Sequence, residues 1–237
     1  MAGCGAGFAL VLVLAAALGP SAQGVALACL AVAASAWVWS SVPGLRRTLR
    51  FGGAAAHAAG FAALWMLGDR PSGAPAGFKV GLVVGCSLAG LALLIVARRL
   101  SGWGPISAAI GATLGAWLVA AFSGSQGAAG SYPGWLEALF GLDPATAEAV
   151  STLSRKVVHF VFYGTFGLLH LLALSHMGRR EAVGASWVVV VLYAWTDETR
   201  QMGTTVRWGS PWDVLLDLTG AAAFTLVWVL RKRSPQR

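Results

Sequence analysis

The stretch SRKVVHFVFYGTFGLLHLL, residues 154–172, decides how the rest of the chain is read. Continued to residue 177, it gives the roughly 20 residues that a helix needs to cross the hydrocarbon of a bilayer. Yet it opens on Lys156, His159 and Tyr163, spaced i, i+3, i+7, which a helix places on one face. An apolar helix with an ionisable stripe belongs in a membrane, with the stripe turned towards other helices. The surrounding sequence agrees. Across 237 residues, 57% are hydrophobic and 11% charged, against roughly 25% charged in soluble domains. A small soluble domain must cover its outside with polar groups, so a soluble enzyme is excluded. Disordered, collagenous and disulfide-scaffold classes are excluded too, since Cys4, Cys29 and Cys86 all lie in apolar stretches and read as small packing residues.

Reading apolar runs between polar or Pro/Gly-rich breaks predicts an all-α, polytopic transmembrane helical bundle of about eight spans. They fall at roughly 2–19, 24–42, 51–68, 80–98, 105–123, 156–177, 184–202 and 211–231. The first run, GFALVLVLAAALGPSAQG, also fits a signal sequence, although no Lys or Arg precedes it. The loop 124–155 contains PGWLEALFG, whose Trp135, Leu136, Leu139 and Phe140 suit a helix lying along the membrane surface. Asp143 and Pro144 then read as N-cap and first helical residue. Small residues at four-residue spacing (Gly52, Ala56, Gly60; Gly81, Gly85, Ala89; Ser107, Gly111, Gly115) predict close helix packing.

The net charge of +8 and pI near 10.3 do not point to nucleic acid, because the basic residues punctuate apolar runs instead of forming one face. They report orientation. With the C-terminus inside, Arg46, Arg47, Arg50, Arg98, Arg99, Arg179, Arg180, Arg231, Lys232, Arg233 and Arg237 are cytoplasmic, eleven of the 17 Lys and Arg. Arg70, Lys79, Arg155, Lys156, Arg200 and Arg207 fall outside, and so does every acid except Glu181. The dominance of Arg over Lys, with abundant Ala and Gly, matches a GC-rich bacterial genome. The expected location is therefore the bacterial cell membrane, multi-pass.

Two further spans carry ionisable groups on the outer side. In VVVVLYAWTDETRQMG, residues 188–203, Glu198 and Gln201 share a face; in RWGSPWDVLLDLTG, residues 207–220, Asp213, Asp217 and Gly220 do. At about 1.5 Å per residue, Asp217 lies about 6 Å below Asp213, and His159 about 4–5 Å below Lys156. Charges facing lipid are unfavourable, so these groups should face one another. Ser210, Pro211 and Asp213 also fit a capped helix start, which alone accounts for Asp213. Arg155, Asp197 and Arg200 fit solvated interfacial charges, and Arg155, Lys156, Arg200 and Arg207 could balance Asp197, Glu198, Asp213 and Asp217 in an ion-pair network fixing helix packing. Capping does not reach His159 or Asp217. His57 and His170 read as packing hydrogen bonders, His176 as a solvated helix end, and Trp103, Trp135, Trp208 and Trp212 as interfacial anchors.

At these residues the sequence resembles the VanZ-like family of bacterial membrane proteins. The matching positions are Lys156, His159, Tyr163, Glu198, Gln201, Arg207, Asp213 and Gly220, within roughly residues 105–231. One position departs from the family pattern: where an Asn usually follows four residues after the Asp, this chain has Asp217. The resemblance divides the chain into N-terminal transmembrane helices of unassigned role (1–104), a VanZ-like transmembrane domain (105–231) and a basic cytoplasmic tail (232–237). It implies a link to low-level resistance to teicoplanin-type glycopeptides, which act outside the membrane on lipid-linked cell-wall precursors. No established catalytic mechanism comes with the resemblance, and no catalytic residue, metal or cofactor is assigned.

Lys156, His159, Tyr163, Glu198, Gln201, Arg207, Asp213 and Asp217 are therefore the expected functional cluster. The leading expectation is an outward-facing polar pocket binding a lipid, lipid-linked glycan or lipophilic glycopeptide. An alternative is an intramembrane enzyme acting on a lipid-linked substrate with His159 and Glu198 as acid and base. His, Glu and two Asp could also assemble a metal site, but no metal-site or nucleophile motif accompanies them. Transport is disfavoured because the first half places only His57 inside a span. A purely structural role for the cluster is the remaining alternative.

Overall fold

The computed structural model describes residues 20–67, 104–122, 132–202 and 209–231. Its elements are α1 (Pro20–Ser41), α2 (Arg47–Leu67), α3 (Gly104–Phe122), α4 (Tyr132–Phe140), α5 (Pro144–Ala173), α6 (Arg179–Met202) and α7 (Pro211–Arg231). No strand occurs among the described residues, so the fold is all-α.

Four of these helices are long and apolar enough to cross a membrane: Gly24–Ser41, Gly104–Ala121, Pro144–Ala173 and Pro211–Arg231. The described helices do not support a count of about eight spans. The runs at 2–19 and 80–98 lie outside the described residues. The runs at 51–68 and 184–202 do form helices, but both fall short in apolarity. Helix α2 dilutes its Ala and Gly with Arg50 and His57, and α6 spends its last turns on Asp197, Glu198 and Arg200. The predicted span at 156–177 is also displaced: α5 starts at Pro144 and ends at Ala173.

Local chemistry sets these ends. One carboxylate oxygen of Asp143 accepts from the amides of Ala145 and Thr146 at 3.1 and 3.0 Å, with Pro144 opening the helix as expected. Those bonds, from the Thr146 hydroxyl and amide foremost, hold the Asp143 carboxyl below its usual range. The start of α7 is capped by Ser210, whose hydroxyl accepts from the Trp212 amide at 3.2 Å.

The helices are turned inside out relative to a water-soluble bundle. Phe51, Val157, Val161, Leu215, Leu226 and Leu230 lie on the outside, whereas Asp197, Glu198, Arg200 and Asp217 are buried. That distribution is stable only against an apolar solvent, and with the apolar helices it makes the chain a membrane protein. Helix α5 packs most extensively on α7 and also against α3, α4 and α6, while α1 packs on α2 and α6.

A polar chain crosses the interior between α1, α2, α3 and α6. The Thr113 hydroxyl donates to the Ala109 carbonyl at 3.0 Å and so accepts from Trp39 Nε1 at 2.8 Å and from His57 Nδ1 at 3.2 Å. This leaves His57 Nε2 to accept from the Tyr193 hydroxyl, whose oxygen in turn accepts from Ser35 at 3.1 Å. One tautomer of His57 thus satisfies every member. His170 bonds the Phe166 carbonyl at 2.9 Å. Both histidines act as the packing hydrogen bonders expected from the sequence.

Candidate functional site

The site begins with a backbone contact. Helices α5 and α7 approach so closely at Gly220 that a Cβ there would collide with the backbone of Phe160, its carbonyl oxygen first. On the opposite helix, a Cβ at Gly164 would come within 3.0 Å of the Gly220 carbonyl. The rows of small residues expected to pack helices behave differently: Gly60, Gly111 and Gly115 face the side chains of Trp117, Leu169 and Phe166, and Gly52 faces open space. Among the described helices, the crossing where backbone meets backbone is therefore the one beside the ionisable residues.

That crossing brings the polar faces of α5 and α7 into register as two rungs. Lys156 Nζ donates to Asp213 Oδ1 at 2.8 Å, an outer rung whose lysine side chain is 52% exposed. One turn inward, His159 Nδ1 lies 3.0 Å from Asp217 Oδ1. Asp217 is completely buried, and its second oxygen, Oδ2, has no hydrogen-bond partner among the described residues.

Helix α6 adds the third wall. The Tyr163 hydroxyl donates to Asp197 Oδ2 at 3.2 Å, and the Gln201 amide nitrogen donates to Asp197 Oδ1 at 3.0 Å and to Glu198 Oε1 at 3.1 Å. The other Glu198 oxygen accepts from the Ser210 amide at 2.8 Å, tying the end of α6 to the start of α7. Gly209 permits this, since a Cβ there would collide with the Glu198 carbonyl. One donor atom each from His159, Glu198 and Asp217 then lie within 4.8 Å of one another.

Seven of the eight residues expected to cluster are thus drawn together: Lys156, His159, Tyr163, Glu198, Gln201, Asp213 and Asp217. The eighth, Arg207, lies outside the described residues. Two readings are corrected. Asp197 and Arg200 were candidates for solvated interfacial charges, but both are buried. Asp197 bonds Tyr163 and Gln201, and Arg200 Nη1 donates to the Ala120 carbonyl of α3. Asp197 is the member that sequence reasoning left out. Its signal was the i, i+4 spacing to Gln201, which puts it beside the same amide as Glu198. Arg155 fits the solvated role better, lying 3.9 Å from Glu148 at the surface.

Chemically, three buried carboxylates meet one imidazole, with the ammonium of Lys156 a turn further out. In a low-dielectric interior such a group needs compensating positive charge, which the buried Arg200 guanidinium three residues from Asp197 helps to supply, and its inner members suit exchange of a proton or a cation.

No curated protein and no solved structure matches the chain. A family model described as VanZ/LLP1 does match, over residues 130–232. The match takes in α4 through α7 and leaves α1 to α3 outside it. Every residue of the cluster described above lies within that C-terminal segment, and by this match the segment is VanZ-like.

Proposed function

We propose that this chain is a VanZ-like protein of the bacterial cell envelope whose charged cluster faces outward and engages the polar part of a lipid, a lipid-linked glycan or a lipophilic glycopeptide. The observation that carries the reading is the convergence of His159, Tyr163, Asp197, Glu198, Gln201 and Asp217 from three helices inside an otherwise apolar bundle. Buried ionisable groups are costly in a membrane, and function is the usual reason for keeping them. The distribution of Arg and Lys supports an outer position for the cluster, on the side where teicoplanin-type antibiotics meet lipid-linked precursors. Lys156, the most accessible member, stands at the rim to meet a phosphate or carboxylate. The test is teicoplanin susceptibility of cells overproducing the wild type, His159→Ala or Glu198→Ala at matched membrane levels. The reading expects both variants to lose the wild-type effect; three indistinguishable strains overturn it.

A second reading is supported by the 3.0 Å contact between His159 and Asp217 with Glu198 close by. Such a group can relay a proton to or from a lipid-linked substrate as general acid and base. Turnover of lipid-linked substrates by the purified protein, lost in Glu198→Gln, supports it; an inert wild type removes it.

A further inference from the structure

We infer that His159, Glu198 and Asp217 form a binding site for a divalent first-row metal ion, with zinc(II) the best fit to the donors. The inference rests on the cluster as the working site, but not on which envelope component it engages.

Two independent observations point to a cation. The donor atoms of the three residues already lie within 4.8 Å of one another, on three different helices. Donors about 2.0–2.2 Å from a tetrahedral zinc ion sit roughly 3.4 Å apart, so side-chain rotations of about an ångström close the ring. Next, Asp217 is fully buried while its Oδ2 has no partner. A buried carboxylate oxygen without a partner forfeits its hydration, and among the described residues nothing restores it. A metal ion does.

The surroundings match those of a metal ligand set. Glu198 accepts on both oxygens, from Gln201 and from the Ser210 amide, which fixes its plane as bonds behind a metal ligand do. Asp197 is held by Tyr163 and Gln201, close enough to add negative charge without being needed as a ligand. One imidazole and two carboxylates favour zinc, manganese or iron over magnesium or calcium, which prefer oxygen alone. With three protein ligands, coordination positions remain for water or for an oxygen of a bound headgroup.

The test uses the full chain in detergent, purified on a tag without histidine, stripped with chelator and titrated with Zn²⁺, Mn²⁺ or Mg²⁺ by calorimetry. The expected result is about one Zn²⁺ per chain, with affinity falling about tenfold or more in His159→Ala and in Asp217→Asn, and no change in Glu148→Gln at the surface. Asp217→Asn keeps the side-chain shape, so a metal-free melting curve like the wild type's shows that its loss is one of binding. X-ray absorption on the zinc-loaded wild type gives a readout that needs no variant: nitrogen and oxygen ligands are expected. Sub-stoichiometric zinc, a preference for Mg²⁺, sulfur ligation or binding that survives both cluster variants each overturns the proposal. Should wild type bind no metal while His159→Ala still loses the glycopeptide phenotype, the metal falls and the envelope site stands.

Discussion

Replacing Gly220 by alanine adds one methyl at the place where α5 and α7 touch backbone to backbone. The atoms in its way are the oxygen, carbonyl carbon and Cα of Phe160. None is the end of a flexible side chain, so the methyl fits only if one helix moves against the other. Overpacking of this kind costs about 1–3 kcal/mol, and the rigid obstacle puts this site towards the upper end. For a chain of this length each kcal/mol lowers the melting temperature by about 2–4 °C, so a fall on the order of 4–10 °C is expected in detergent by intrinsic fluorescence. The separation also lengthens the His159–Asp217 contact, now 3.0 Å. The control is Gly184→Ala, where nothing lies within 4 Å of the new methyl. Helix propensity there favours alanine by up to about 1 kcal/mol, so that variant should melt at or above the wild type. If Gly220→Ala melts no lower than the wild type, or if Gly184→Ala falls equally, the close crossing is not what positions the cluster.

Three further outcomes follow from named contacts. His57→Phe leaves the Tyr193 hydroxyl without its acceptor and removes a donor to Thr113, which should cost about 1–3 kcal/mol for the stranded buried group; a double variant with Tyr193→Phe should cost less than the two singles together, measured by a double-mutant cycle of unfolding. Lys156→Met breaks an ion pair whose lysine is half exposed, so the loss should stay at or below about 1 kcal/mol and shrink further in high salt. Asp143→Ala should raise hydrogen exchange at the amides of Ala145 and Thr146 wherever the wild-type carboxylate is ionised. In the wild type the Asp143 carboxyl is held below its usual range, so the cap is fully present above that range and is lost only as pH falls through the lowered value; exchange corrected for its intrinsic rate should rise there and nowhere higher.

Residues with a local cause were legible in the sequence. Asp143 and Pro144 announce a helix start by chemistry that acts over three residues, and the cap forms as expected. The stripe of Lys156, His159 and Tyr163 follows from helical spacing alone, and its pairing with Asp213 and Asp217 follows from the cost of turning charge towards lipid. What escaped was tertiary. Asp197 stands beside Glu198 near a helix end, where an acid is ordinarily wet; only the packing of Tyr163 from α5 encloses it. Ser35, Tyr193, Thr113 and Trp39 are ordinary polar or aromatic residues on separate helices, and nothing in their order foretells one chain through His57. The crossing at Gly220 was masked by more regular glycine rows elsewhere, whose neighbours are side chains.

The length of α5 bears on how deep the cluster lies. At 30 residues it is about 45 Å long, about 15 Å more than the hydrocarbon of a bilayer. That excess equals about ten residues, and the sequence names them: 144–153, PATAEAVSTL, holds the polar residues of the helix's first turns, while the apolar run begins after Lys156. The surface pair of Arg155 with Glu148 fits a segment standing clear of the apolar layer. With those turns outside, Lys156 and Asp213 meet at the boundary, and His159 and Asp217 lie a single turn within it. The outer rung is then the more accessible one, while on the inner rung His159 is only partly exposed and Asp217 fully buried. A polar group at the interface can reach Lys156 without entering hydrocarbon, while the Asp217 oxygen that has no partner among the described residues lies a turn deeper.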